Sequence, residues 1–154
     1  TQAIAEAAER AYAEYGLIPV FIPINHLEDI APAKQVAKHL SCPYAVLDGY
    51  RPPNIMSGML SRMSVIVSMR LHGLIFAAGH GVPLVGVVYD PKVSSFLLYI
   101  GQELFCDLKN VSLESLNALV DRAIARGSSE EQAGAVARLW ELEKVNRAAL
   151  RELL

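Results

Sequence analysis

The chain of 154 residues has only two cysteines, Cys42 and Cys106, and they stand far apart. Two isolated cysteines argue against a disulfide framework or a zinc knuckle. The expectation is a pair of buried thiols in a reducing compartment. A charge excess of either sign is also lacking: 14 Lys and Arg against 16 Asp and Glu give a formal net charge of −2. That argues against bulk attraction to nucleic acid or to an anionic membrane, so any anion site has to come from locally arranged groups. No apolar run reaches the roughly 18–20 residues that span a bilayer. The longest candidate is interrupted by Arg70, His72, His80 and Pro83. The opening TQAIAEAAER carries acids and has no signal-peptide pattern. Paired carboxylates and histidine clusters with ligand spacing are missing, so neither a metal nor another cofactor is expected. Internal repeats, low-complexity segments and a clear domain boundary are missing too.

What is present is apolar: 53% of residues are hydrophobic and 19% charged, over a length that suits one domain with a substantial core. Strands and helices alternate. A helical pattern over residues 3–15 is stopped by Gly16. The run LIPVFIPI (17–24) has strand length, but its two prolines place it near a sheet edge. A helix follows over 29–40, a short strand over 44–47, a turn-forming loop over 48–53, and a helix over 54–63 with Asn54 as cap. Next come a strand (65–68), a helix of small and apolar residues (71–79), a strand (83–89), a short helix (94–100) and a short strand (103–107). Ser112 caps a helix ending at Arg126, with Glu114 in its first turn; Ser115 holds the position where a full capping box wants Glu or Gln. Residues 127–129 read as a loop, and a long helix rich in Glu, Arg, Leu and Ala covers about 130–154.

Short connections and non-alternating apolar strands predict an α/β domain, Rossmann-like, with a parallel sheet and helices on both faces. Residues 1–154 read as a single domain of this kind. A helix comes first, where such a domain normally starts with a strand, and Thr1 stands where an initiating Met would. The expectation is a fragment whose first strand, and a whole preceding domain, are absent. The long final helix exceeds what the sheet needs, and suits docking on that missing domain or on a second copy of the chain.

The chemistry gathers after two strands. Ser68, Arg70 and His72 follow one; Tyr89, Asp90 and Lys92 follow the next. Parallel strands put both clusters at the carboxyl edge of the sheet, where open α/β sheets bind ligands. His72 sits at the turn into a helix, where unpaired N–H groups favour an anion. Gly73 allows a ligand close to backbone. Lys92, with Ser94 and Ser95 at the next helix start, suits a phosphate. Arg70 suits bidentate binding of a carboxylate or phosphate, or equally an ion pair with an acid such as Asp48 or Asp90. A capping or core role for His72 and a solvated-loop role for Lys92 are the plainer readings of each residue alone. His80 lies at the far end of its helix and faces the wrong edge; His26 and His39 read as surface residues. An anion pocket of this kind does not name a reaction.

The segment VSMRLHGLIFAAGHGVPLVGVVYDPKVSSFL resembles the polysaccharide pyruvyl transferase family. The shared features are the RLHG turn, the small-residue helix, the G-x-P-x-x-G-x-x-Y strand and the following D-x-K. The likeness is densest over 64–100 and weaker over 17–126. It implies the C-terminal, donor-binding half of a two-domain enzyme of the GT-B type. Such enzymes move pyruvate from phosphoenolpyruvate to a sugar as a cyclic ketal, on cell-wall polymers or exopolysaccharides. By this resemblance His72 is the catalytic candidate and Lys92 a donor ligand. Arg70, Gly73, Ser94 and Ser95 complete the candidate substrate-binding set. Implied partners are phosphoenolpyruvate, a sugar or lipid-linked glycan acceptor and the N-terminal domain, with no nucleic acid. The implied location is the cytoplasm, including the inner face of the membrane. Two other readings stay open: a nucleotide-sugar glycosyltransferase or epimerase of GT-B type, and a non-catalytic domain that binds an anion or a partner protein.

Overall fold

A computed structural model describes residues 1–127 and 130–153. Ser128 and Ser129 of the expected loop, and Leu154, lie outside the described residues. The order is α1 (Gln2–Tyr15), β1 (Val20–Phe21), α2 (His26–Ala37), β2 (Ala45–Val46), α3 (Pro53–Leu60), β3 (Ile66–Ser68), α4 (Leu71–Gly79) and β4 (Leu84–Val88). Then come α5 (Pro91–Tyr99), β5 (Phe105–Asp107), a 3-10 turn (Leu108–Asn110), α6 (Leu113–Arg126) and α7 (Glu130–Leu153). The class is α/β with parallel strands flanked by helices, as expected.

The sheet is not continuous. β1 pairs with β2, and β3, β4 and β5 form a separate ladder in that order, every pairing parallel. The expected strand over 17–24 shrinks to Val20 and Phe21. Pro19 stands just before those residues and Pro23 two places after them; neither has an N–H to donate, which limits the ladder at both ends, although Pro19 O still accepts from Ala45 N at 2.9 Å. β1 has one strand neighbour, in keeping with an edge position.

Neighbouring residues of β4 point to opposite faces, as strand geometry requires. Leu84 packs into a cluster with Leu74, Ala77 and Ala78 of α4 and Val93 and Leu97 of α5. Val85 packs with Leu104 and with Leu119, Val120 and Ala123 of α6. Each buried Leu or Val contributes roughly 1.5–3 kcal/mol. Gly86 lets α5 come close: a Cβ there would lie 2.4 Å from Leu97 Cδ1. Cys42 is buried and Cys106 half-buried, both are free, and burial pushes both thiols up.

Helix α1 is tied down by polar contacts. Gly16 ends it at φ 67°, a left-handed conformation that favours glycine. Arg10 donates to both carboxylate oxygens of Asp121 on α6, at 2.8 and 3.0 Å, and the Tyr15 hydroxyl donates to Asp121 Oδ1 at 2.7 Å. These bonds hold the Asp121 carboxyl below its usual range, Arg10 contributing most. Glu9 accepts the backbone N–H groups of Ser41 and Cys42 and closes the loop after α2.

Three helix starts differ from expectation, each for a capping reason, and the cap of α6 is fuller than expected. α2 begins at His26 rather than residue 29, because the Asn25 side chain accepts from Leu27 N at 3.3 Å. α3 begins at Pro53, a residue pre-set for a first helical position, so Asn54 is not its cap. α5 begins at Pro91, with Asp90 accepting from Lys92 N at 2.9 Å. At α6 a capping box does form. Ser112 N donates to Ser115 Oγ at 3.0 Å and Ser115 N to Ser112 Oγ at 3.1 Å, so a hydroxyl fills the role usually given to Glu or Gln.

Candidate functional site

The carboxyl ends of β1, β2, β3 and β4 surround a cleft of about 620 Å³. The segment after β1 supplies Pro23, Ile24, Asn25 and His26, and the segment after β2 supplies Gly49, Tyr50 and Arg51. Arg70, Leu71 and His72 come from the β3–α4 turn, and Tyr89 and Lys92 from the β4–α5 turn. The structure therefore brings Arg70, His72 and Lys92 together, as the parallel topology predicts.

His72 is exposed, at the second position of α4. Arg70 is the N-cap, and its side chain makes no capping bond. The first N–H groups of an α-helix have no intrahelical acceptor, so those of Leu71, His72 and Gly73 open toward the β3 end. Arg70 N itself donates to Ser68 Oγ at 3.1 Å, and that hydroxyl donates back to Arg70 O at 3.2 Å. Ser68 thus fixes the turn from β3 into α4.

The Arg70 guanidinium is engaged. Its Nη2 donates to Asp29 Oδ1 at 2.6 Å and to Glu28 Oε2 at 2.7 Å, and its Nε to Asp29 Oδ1 at 3.0 Å. These carboxylates hold the group more firmly protonated than usual, Asp29 first. The acids considered from the sequence, Asp48 and Asp90, are not its partners: Asp48 pairs with Lys34 at 3.1 Å and Asp90 with Lys92 at 3.3 Å. Arg70 lines the cleft, but the Nε–Nη2 side of its fork is spent on joining the starts of α2 and α4.

Lys92 Nζ lies 5.9 Å from the centroid of the Tyr89 ring and keeps a side-chain exposure of 55%. The Asp90 carboxyl is held below its usual range by the Lys92 backbone N–H and side chain. Ser94 and Ser95 do not line the cleft. They were expected at a helix start, but α5 begins at Pro91, so they occupy its fourth and fifth positions, past the free N–H groups. Ser94 Oγ instead donates to Pro91 O at 3.0 Å. Gly73 does not line the cleft either. It is buried, and a Cβ there would lie 2.9 Å from Ser68 Oγ and 3.5 Å from an Ile24 side-chain carbon. Its small size serves packing of α4 on β3 and on the segment after β1.

Two cleft residues escape the sequence reading. His26, expected on the surface, lines the cleft, and its Nε2 lies 2.9 Å from Asp48 O. A carbonyl can only accept, so Nε2 carries the proton there. Arg51, within an expected turn, lines the cleft with its Nη1 donating to Tyr50 O at 3.0 Å. The missed signal is the rule that flagged His72 and Lys92: both follow strands, at the ends of β1 and β2. His80 is placed as expected, capping the far end of α4, with Nε2 2.7 Å from Ser57 Oγ. His39 is exposed.

The family model for polysaccharide pyruvyl transferase matches residues 2–91, more than half of the chain. The chain belongs to the polysaccharide pyruvyl transferase family. The matched stretch runs from α1 to the first residue of α5 and takes in three of the four strand ends that wall the cleft, with Tyr89 and Asp90 of the fourth. It includes Arg70, His72 and Gly73 and ends one residue before Lys92. No curated protein matches the chain. As a member of this family, the chain is assigned to transferases of polysaccharide biosynthesis. No helix among the described residues is long and apolar enough to cross a membrane.

Proposed function

We propose that this chain forms the donor-binding half of an enzyme that moves pyruvate from phosphoenolpyruvate onto two hydroxyls of one sugar. The product is a cyclic ketal on a cell-wall polymer or exopolysaccharide. The observation that supports this reading most is the meeting of His72, Lys92 and the uncapped start of α4 in one cleft of a chain of this family.

Phosphoenolpyruvate carries a phosphate and a carboxylate, so its site needs cations and directed N–H groups away from bulk water. In the proposed chemistry the methylene carbon gains a proton and the central carbon becomes cation-like. Two sugar oxygens bond to that carbon, and its bond to the phosphate oxygen breaks. Of the two protons that the hydroxyls release, one balances the new methyl group and the other leaves with phosphate. His72 carries out proton transfer at this centre or stabilises the departing phosphate. Lys92 and the N–H groups at the start of α4 hold the phosphate. Arg70, through its pair with Asp29 and Glu28, keeps that helix start in position. An N-terminal domain of a GT-B-type enzyme supplies the facing wall and acceptor contacts, with α7, whose Trp140 is half-exposed, available to dock on it. The acceptor is a sugar or a lipid-linked glycan, met in the cytoplasm at the inner face of the membrane.

The test is ketal formation and phosphoenolpyruvate binding by the full-length protein, with His72→Ala and Lys92→Ala beside it. Loss of a positioned acid or base costs about 10²–10⁴ in rate. Near-wild-type turnover and donor affinity in both variants would sink the reading. Binding of a nucleotide sugar in preference to phosphoenolpyruvate would replace it.

A further inference from the structure

We infer that Arg51 is the carboxylate-binding residue of this cleft, and so the group that tells phosphoenolpyruvate from other phosphate esters. The inference rests on the donor reading above and extends it to a residue that neither the motif nor the strand-end clusters picked out.

The argument starts from charge. Three permanently or usually cationic side chains line the cleft: Arg51, Arg70 and Lys92. Arg70 faces Asp29 and Glu28, and Lys92 faces Asp90. Arg51 has no carboxylate partner among the described residues. Asp48 feels its charge, but that carboxyl is held down first by Lys34, and Arg51 contributes least. Among the described residues, Arg51 is thus the cleft Lys or Arg that forms no ion pair with a carboxylate.

Position comes next. The Arg51 guanidinium folds back over the loop after β2, and its Nη1 donates to Tyr50 O. Gly49 makes that fold possible: a Cβ there would lie 2.4 Å from Arg51 Nη1 and 3.4 Å from Arg51 Cζ. One donor of the planar fork is anchored to backbone, and four of its five N–H groups remain for a ligand. Lys92 and the start of α4, a point charge and a set of N–H groups, line the same cleft. A fork matches a planar carboxylate in bidentate fashion, whereas a point charge with helix N–H groups suits a tetrahedral phosphate. The two anionic ends of the donor are thereby divided between these two sets of groups.

The test uses the full-length protein and calorimetric titration with phosphoenolpyruvate, with inorganic phosphate as a second ligand. Arg51→Gln should weaken phosphoenolpyruvate binding about 10–100-fold, the usual worth of charge-assisted hydrogen bonds. It should leave the affinity for inorganic phosphate within about twofold of wild type. Arg51→Lys, which keeps charge but not the fork, should recover only part of the loss. An unchanged urea midpoint in the variants shows that the fold is intact. Phosphoenolpyruvate affinity in Arg51→Gln equal to wild type overturns the assignment, and so does a parallel loss of phosphate affinity. Wild-type protein that binds no phosphoenolpyruvate overturns the donor reading and this assignment together. Binding lost in Lys92→Ala but kept in Arg51→Gln overturns this assignment alone.

Discussion

Replacing Gly86 by Ala tests how tightly α5, and with it the Lys92 side of the cleft, is set on the sheet. Gly86 is the middle residue of β4, paired with Ser68 on one side and Phe105 on the other. A methyl group there would meet Leu97 Cδ1 at 2.4 Å and Phe105 Cβ at 3.2 Å. Leu97 is fully buried, so displacing it disturbs close-packed neighbours. Overpacking of this kind costs about 1–3 kcal/mol. Replacing glycine in a strand returns about 0.5–1 kcal/mol. The net expectation is a loss of about 0.5–2 kcal/mol, or a few degrees in midpoint for a domain of this size. Leu97→Ala alone should cost about 2–5 kcal/mol through the cavity it leaves. In the double variant the clash with Leu97 is gone and the new methyl fills part of that cavity. The pair should therefore cost no more than Leu97→Ala, a favourable coupling of about 1–3 kcal/mol. Urea unfolding of the four proteins measures this directly. Effects that simply add, within about 0.5 kcal/mol, would refute the claim that Leu97 makes Gly86 necessary.

Two further outcomes are expected. Asp121→Asn should lower stability at neutral pH, because Arg10 and Tyr15 depress the native carboxyl. A depressed carboxyl stabilises the fold above its unfolded value, and that contribution is lost as pH falls through the lower native value. The unfolding curves of wild type and variant should thus converge in acid; a gap that persists there would show that packing, not charge, is responsible. Ser112→Ala should cost about 1 kcal/mol by opening the capping box at α6. A loss matched by Ser115→Ala, with no further loss in the double variant, would identify the reciprocal pair of hydroxyl bonds as the cause.

What the sequence revealed followed from local rules, and what it hid depended on contacts between distant segments. The end of α4 was legible because Gly79 and Gly81 close a run of small and apolar residues. Parallel strands and short turns placed His72 and Lys92 on one edge without any side-chain detail. The start of α5 was also legible, since Asp90 before Pro91 is a cap followed by a favoured first residue; reading the pair as loop moved Ser94 and Ser95 wrongly to the helix start. Arg70 is different. Its partners Asp29 and Glu28 lie about 40 residues earlier, and nothing in RLHG announces them. His26 is similar, since its contact with Asp48 O exists only once β1 and β2 are paired.

The break between the two ladders has a mechanical consequence. A hydrogen-bonded ladder resists sliding, because a shift of one residue turns every side chain to the wrong face. Among the described residues no ladder joins β1–β2 to β3–β4–β5, and side chains link the two leaves, among them Ile22 and Ile24 against the larger core and the Asp29–Arg70 pair. The cleft straddles this seam, with His26 and Arg51 on one leaf and His72 and Lys92 on the other. A doubly charged ligand drawing Arg51 toward Lys92 would work against side-chain contacts, so the width of the cleft rests on side-chain packing and not on a backbone ladder.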